Sequence, residues 1–389
     1  MPAHDLIVIG ASAGGVEAIC KLVAGLPANL SAAVCVVVHL RPYSESHLAR
    51  VLERAAPLAV VPAKQDLPLE RGTIYVAVPD MHLLVSRDGD GAVLRLVRGP
   101  RENRSRPAID PLFRSAALAF GPRVIGVILS GALDDGAAGL WTVKDRGGIA
   151  VVQDPDDAAV PSMPASALAE VEVDHVAPAE ALGPLLGHLA REPAGRQPNE
   201  SELARHGDAT DQLDRELGIV AVDDDYHERS ERYGEPSRFP CPECGGVLWD
   251  VSGQGPVRFR CEVGHAHSAA SLAESQTELV EAAMWAALRA LEDKAELSRR
   301  RAATARSNAL AVLAEQFAVE EQAAEQHAAA LRALLRLNGR TGIRPRIDRS
   351  GESGQRPERA AANRPQAERG LAGEIDPIDS ELGSDTGTG

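Results

Sequence analysis

The chain alternates between short runs that are apolar throughout and longer stretches whose apolar positions recur every three or four residues. The runs Leu6–Ile9, Ala33–Val38, Thr73–Val78, Val124–Leu129 and Ile149–Val152 are β-branched and bounded by turn residues, which predicts buried strands. Between several of them lie helix-like stretches: Gly14–Ala24, Asp110–Ala119, Asp135–Lys144 and Ala179–Ala190. That order predicts an α/β fold over residues 1–191, a doubly wound, mostly parallel, Rossmann-like sheet with helices on both faces. Residues 73–98 (TIYVAV, then HLLVSRDGDGAVLRLV) read differently, as consecutive strands around a D-G-D-G turn. A hairpin insertion is expected there.

The pattern changes near residue 193. Residues 192–238 read as an acidic linker with a short helical piece; between Pro193 and Gly234 there are eleven acids and five bases. A compact Cys/His cluster occupies 239–268. Residues 269–338 form a proline-free Ala/Leu/Glu/Arg stretch. Leu310, Leu313, Phe317, Ala324, Ala328, Leu331 and Leu335 fall close to an a/d seam, predicting a long helix or a helical hairpin that Asn338-Gly339 would end. The tail, 339–389, is polar and rich in Gly, Pro, Arg and Glu, a composition that predicts disorder.

Composition narrows the function. Aromatics make up 3% of the 389 residues, so Val, Leu, Ile and Ala must build the core. A formal net charge of −15 argues against a general nucleic-acid binder, which shows a basic face. No apolar run reaches the roughly 18 residues that suggest a membrane span. The N-terminus also lacks the basic region and apolar stretch of a signal peptide. The expectation is a cytoplasmic protein without membrane insertion. Of five cysteines, Cys20 and Cys35 are isolated among apolar residues and the other three cluster with histidines, which reads as metal binding rather than disulfides.

The first strand ends in Gly10-Ala11-Ser12-Ala13-Gly14. Ser12 has three readings: a helix cap, part of a phosphate loop, or a nucleophile on a tight strand-to-helix turn. A dinucleotide site needs G-x-G-x-x-G and an acid ending the second strand. Here the turn is G-A-S-A-G-G, the second strand ends in His39 before Leu40-Arg41-Pro42, and there is no P-loop lysine. The carboxyl ends of neighbouring parallel strands share one rim, so Ser12 and His39 would lie together there. A third strand leads through Ser130-Gly131 to Asp134 and Asp135 before Gly136. Either acid could cap the following helix or orient His39 through its second ring nitrogen. The chain order Ser, His, Asp differs from the α/β-hydrolase order.

GASAGG, VVVHLRP, ENRSRPAIDPLF and LSGALDDGAAGL, in that order, resemble the catalytic domain of the chemotaxis protein-glutamate methylesterases, the CheB family. The resemblance covers residues 5 to about 190 and includes VVQDPDDAAVPSMPASAL. It implies Ser12 as nucleophile, His39 as base and Asp135 as the third member of the triad. It implies hydrolysis of γ-glutamyl methyl esters on methyl-accepting chemotaxis receptors, with methanol released and no cofactor for catalysis. Receptor glutamines would be deamidated by the same acyl-enzyme route. Oxyanion donors are expected in the turn after Ser12 (Ala13, Gly14) and at Ala132. Arg104-Ser105-Arg106-Pro107 would either shape the entrance for acidic receptor helices or form a loop salt-bridge set. The sequence departs from the family pattern at Ala13, where many members carry Thr. It departs again at Gly131-Ala132-Leu133, where G-M-G is usual. No phosphoacceptor domain precedes Ser12, so control by aspartyl phosphorylation of this chain is not expected. The other readings are a non-catalytic signalling scaffold and a serine hydrolase of another ester.

The second half carries Cys241, Cys244, Cys261 and His265, as C-x2-C and C-x3-H arms sixteen residues apart. This is close to zinc-ribbon spacing, and three thiolates with one imidazole suit structural, tetrahedral Zn²⁺. His267 is a rival fourth ligand. The module resembles a C-terminal segment of some stand-alone methylesterases. Arg258 and Arg260 are the basic groups inside it, too few for a nucleic-acid surface beside an acidic linker. The 269–338 helix is expected to dimerise, to dock a partner such as a receptor, or to pack on itself.

Overall fold

The structure is a computed structural model, and it describes residues 3–39, 47–89, 91–196, 216–221, 234–253 and 255–338. Leu40-Arg41-Pro42, most of the acidic linker, Gly339 and the tail lie outside the described residues. The described residues up to Leu335 form one compact unit.

Seven parallel strands make the main sheet. In chain order they are β1 (Leu6–Ala11), β2 (Ala33–Val38), β3 (Ala59–Pro62), β4 (Thr73–Val76), β7 (Val124–Ile128), β8 (Ile149–Gln153) and β9 (His175–Ala177). Their spatial order is β3-β4-β2-β1-β7-β8-β9, with every pairing parallel. Strand order reverses at β1, and ligands of doubly wound sheets bind outside the carboxyl ends of strands at such a point. The expected fold class therefore holds, with one correction in detail. Thr73–Val76 of the 73–98 segment is a strand of this sheet, and the hairpin is β5 (His82–Asp88) with β6 (Gly91–Val97) alone. Fully apolar Ile74-Tyr75-Val76, buried on both faces, suits a central parallel strand better than a hairpin with one wet face.

The strands are buried throughout because both faces are covered. Ile7 and Ile9 point to one core, with Ile19 and Leu22 of α1 (Gly15–Ala24), Leu48 and Leu52 of α2 (Leu48–Ala55), and Leu182 and Leu186 of α6 (Ala179–Leu189). Leu6 and Val8 point to the other. There they meet Leu112 and Phe113 of α3 (Ile109–Phe120), Leu140 and Val143 of α4 (Ala137–Asp145), Met163 of α5 (Ser162–Glu170), and the hairpin. Gly10 is required by this second face: a Cβ there would lie 2.3 Å from the Ile109 side chain. The start of α3 therefore sits directly under the end of β1.

A second sheet holds β10 (Glu235–Pro240), β11 (Val247–Asp250), β12 (Arg258–Cys261) and β13 (Ala266–Ser268), all antiparallel in that order. Its apolar core is small: Leu248, Phe259 and Leu272 with the sulfurs of Cys241 and Cys261. The expected helical stretch is a hairpin of α7 (Ala269–Ser307) and α8 (Ala311–Asn338). Phe317 packs with Ala302, Ala305 and Ala314, and Arg299 bonds Glu321 across the pair at 2.8 Å. Of the expected seam, Phe317, Ala324 and Ala328 are buried, while Leu310 and Leu313 are exposed beside the turn between the helices.

Candidate functional site

The chain reverses sharply after β1. Gly14 caps α1 with φ of 73°, a left-handed conformation that costs glycine little. The loop after β7 presses against this turn: Ser12 N–H donates to the Ser130 carbonyl at 2.9 Å, and a Cβ on Gly131 would lie 2.9 Å from the Ser12 Cβ. Ser12 is thus held half-buried at the carboxyl end of β1. His39 follows β2, whose register pairs Ala11 with Val38. The two side chains meet, with Ser12 Oγ 3.1 Å from His39 Nδ1.

His39 Nε2 lies 2.6 Å from Asp135 Oδ2. Asp135, not Asp134, reaches the histidine. A carboxylate accepts, so Nε2 carries the proton and Nδ1 presents its lone pair to the serine. Asp135 is buried. Burial opposes its charge, but hydrogen bonds from His39, the Ile109 N–H and Asn103 Nδ2 outweigh that and hold its carboxyl below the usual range. The Ile109 N–H donates at 2.7 Å and the Asp110 N–H at 3.3 Å, so Asp135 also caps α3, where a helix N-terminus favours negative charge. The capping is reciprocal. Asp110, in the first turn of α3, accepts from the Gly136 and Gly139 N–H groups at the start of α4.

The expected oxyanion residues flank the serine. Ala13, Gly14 and Ala132 are exposed. Among the described residues, their backbone N–H groups have no hydrogen-bond partner.

The first half of the chain has relatives. The CheB methylesterase profile matches residues 7–186. A relative from Leptospira interrogans serogroup Icterohaemorrhagiae serovar copenhageni is 38% identical over 186 residues, a match spanning 48% of this chain and 95% of the relative. The chain belongs to the CheB methylesterase family. A protein-glutamate methylesterase/protein-glutamine glutaminase from Nocardioides sp. is 41% identical over 190 residues, 49% of this chain and 52% of that protein. The crystal structure of the Thermotoga maritima CheB methylesterase catalytic domain shares 31% identity, with a TM-score of 0.47 over 48% of this chain and 99% of that one.

In this CheB-family chain the β10–β13 sheet packs against the groups behind Ser12, His39 and Asp135. Asn103 is the junction. Its Nδ2 donates to Asp135 Oδ1 at 2.8 Å and to Asp110 Oδ2 at 2.9 Å. Its Oδ1 accepts from the Ser268 N–H at 2.8 Å. Asp134 accepts from the Ser268 hydroxyl at 2.6 Å, and Ser268 caps α7. Burial, and then the Asp135 charge, push the Asp110 carboxyl up.

Beside Asn103 lies a buried ionic cluster. Glu102 accepts from Arg114 at 2.5 Å and from Arg260 of β12 at 2.6 Å. Glu216, in a helical turn at 216–221 within the linker, pairs with Arg258 at 2.7 Å and lies 3.4 Å from Arg260. Glu102, Arg114, Arg260 and Glu216 are each at most 2% exposed. Burial works against both carboxylates, yet the arginines hold Glu102 well below the usual range and Glu216 down to about 2.

Arg104 and Arg106 form a salt-bridge set. Arg104 bonds Glu278 of α7 at 2.6 Å, and Arg106 bonds Asp80 at 2.6 Å. Sequence reasoning missed Asn103, Asp110, Glu102 and Ser268. The first three stand inside the quoted ENRSRPAIDPLF, but their partners Asp135, Gly136, Arg260 and Ser268 are distant in sequence.

The ligand atoms of Cys241, Cys244, Cys261 and His265 all lie within 4.8 Å of one another, so these residues could hold a metal. Cys244 and Cys261 sulfurs are 3.6 Å apart, and His265 Nδ1 is 3.8 Å from Cys241 and 3.6 Å from Cys261. A tetrahedron with metal–sulfur bonds of about 2.3 Å and metal–nitrogen bonds of about 2.0 Å has edges of roughly this size. Glu243 sits 3.8 Å from the other nitrogen of His265. His267, 3.9 Å from Cys241, is buried behind the cluster. His265, not His267, belongs to the four-residue set whose ligand atoms come together.

Proposed function

We propose that the chain is a protein-glutamate methylesterase that hydrolyses γ-glutamyl methyl esters on the helical cytoplasmic part of chemoreceptors, yielding glutamate and methanol. Ser12 is the nucleophile. Its Oγ attacks the ester carbonyl while His39 Nδ1 takes its proton. Asp135 holds the Nε2–H tautomer and stabilises the imidazolium that forms. Backbone N–H groups of Ala13, Gly14 and Ala132 receive the oxyanion, where one such donor is worth about 10²- to 10³-fold in rate. His39 then returns the proton to the departing methoxide, and methanol leaves. Water, activated by His39, cleaves the acyl-serine to glutamate. With a receptor glutamine the leaving group is ammonia and the rest is unchanged.

The observation that carries this reading is the hydrogen-bonded series Ser12–His39–Asp135 inside the family match. No helix among the described residues is long and apolar enough to cross a membrane, which suits work on the cytoplasmic face of receptors. The test is peptide mass spectrometry of a methylated receptor cytoplasmic fragment after incubation with the chain. Methyl-glutamate peptides are expected to become glutamate peptides. Unchanged peptides from folded, metal-loaded chain would overturn the reading.

The Cys241, Cys244, Cys261 and His265 set is proposed to bind zinc. Four protein ligands complete a tetrahedron, so the metal closes the ribbon and leaves no position for substrate. About thirty residues with so small an apolar core need such a closure. One zinc per chain is expected by metal analysis. Chelation should then expose Cys241, Cys244 and Cys261 together to a thiol reagent. Unchanged thiol reactivity after chelation would count against the site.

A further inference from the structure

We propose that Asn103 is a positioning residue that holds Asp135 on one side and the docked ribbon on the other, so that metal loss from the ribbon slows the reaction at Ser12. The inference rests on the triad reading above.

An amide side chain can turn over and exchange its donor and acceptor ends. Here the surroundings allow one orientation. Asp135, whose carboxyl is held below the usual range, only accepts, so it needs the Nδ2 end. The Ser268 N–H only donates, so it needs Oδ1. The ribbon therefore supplies the group that keeps the donor end of Asn103 on the carboxylates. Two further bonds tie the same residue to β13 and to the first turn of α7. The Asn103 N–H donates to the Ala266 carbonyl at 2.9 Å, and the Ser271 hydroxyl to Oδ1 at 3.3 Å. Asn103 has φ of 48°, a conformation that asparagine tolerates better than most residues.

The link to the metal is short. Ala266 follows His265 directly, and the His265 carbonyl accepts from the Cys261 N–H at 2.9 Å. Arg260, beside Cys261, is the ribbon's partner for Glu102, the neighbour of Asn103. When the metal goes, a sheet with so small a core loses the cross-link that fixes β12 and β13. The Ser268 N–H then no longer orients the amide, and Oδ1 can face Asp135, where it repels the carboxylate.

The experiment uses the full, zinc-loaded chain and a fluorophosphonate reagent that labels activated serines. Labelling rate constants are taken per titrated site, so a loss of folded protein lowers the number of sites and not the constant. Asn103→Gly keeps the left-handed backbone and removes the amide. It is expected to slow labelling of Ser12 about tenfold to a hundredfold, the worth of a hydrogen bond to a charged group. With receptor substrate, kcat per site should fall and KM should stay.

Chelation of the wild type should slow labelling by a similar factor, with zinc restoring it. Chelation should slow Asn103→Gly no further. Ser268→Pro removes the N–H that Asn103 needs at a φ of −70°, which proline accepts. It should label more slowly than Ser268→Ala, which keeps that N–H. Labelling of Asn103→Gly at the wild-type rate, losses from Asn103→Gly and chelation that multiply, or equal rates for the two Ser268 variants would overturn the proposal. A zinc-loaded wild type that does not label would overturn the triad reading, and this inference with it.

Discussion

Changing Asp135 to asparagine is expected to lower methyl-ester hydrolysis about 10⁴-fold, the size of effect that a wrong histidine tautomer produces in a serine triad. All four neighbours of the Asp135 carboxylate donate: His39 Nε2, the Ile109 and Asp110 N–H groups, and Asn103 Nδ2. An amide has one acceptor end. Whichever way it turns, its NH2 faces a donor. The relief available at His39 is to move its proton to Nδ1, which places N–H against Ser12 and removes the base. An NH2 held against a buried donor should cost about 1–3 kcal/mol of stability, less than the loss of rate in free-energy terms. Rate and fold are thereby separable. Steady-state hydrolysis with a thermal melt checks both, and a fall in rate smaller than tenfold with an intact fold would contradict the role given to Asp135.

Replacing Glu102 with glutamine is expected to cost about 3–5 kcal/mol, the range for breaking a buried ion pair by removing one partner. Arg114 and Arg260 are almost fully buried and share the Glu102 carboxylate, with Glu216 the further carboxylate near both. Glutamine keeps the shape and leaves two guanidinium groups short of charge. The effect should fall on docking. Arg260 belongs to β12 and Arg114 to α3, so the cluster joins the ribbon to the α/β core. Urea unfolding of zinc-loaded chain should show the lower stability, and proteolysis within the ribbon should speed up. A double change, Glu102→Gln with Arg260→Met, should cost less than the sum of the single changes, because it removes a charge that the first change strands. Additive losses would show that the pair is not coupled.

How far these features could be read from sequence depended on distance along the chain. β2 was legible to its last residue because a fully apolar run ends at His39, and strand ends place side chains on a known rim. Ser12 was legible for the same reason. The choice of Asp135 over Asp134 was not readable from the residues alone; it came from the family resemblance. Position along the strand allows either acid, and what separates them is the start of α3, twenty-five residues earlier, meeting one carboxylate and Ser268 meeting the other. The cluster of Cys241, Cys244, Cys261 and His265, which could hold a metal, was legible from its short spacings, whereas the docking of its sheet depends on Glu102 meeting Arg260, which no local pattern announces. The short edge strands β3 and β9 and the helices α2 and α5 were not named from the sequence. Each is brief or only partly apolar, and tertiary packing decides such segments.

The most direct measurement is methanol release from a methylated receptor cytoplasmic fragment by the wild-type chain and by Ser12→Ala. The account predicts sustained release by the wild type and a fall on the order of 10⁴- to 10⁶-fold in the variant, as for loss of a triad nucleophile. Release that survives in Ser12→Ala, or that is absent from the folded, zinc-loaded wild type, would contradict it.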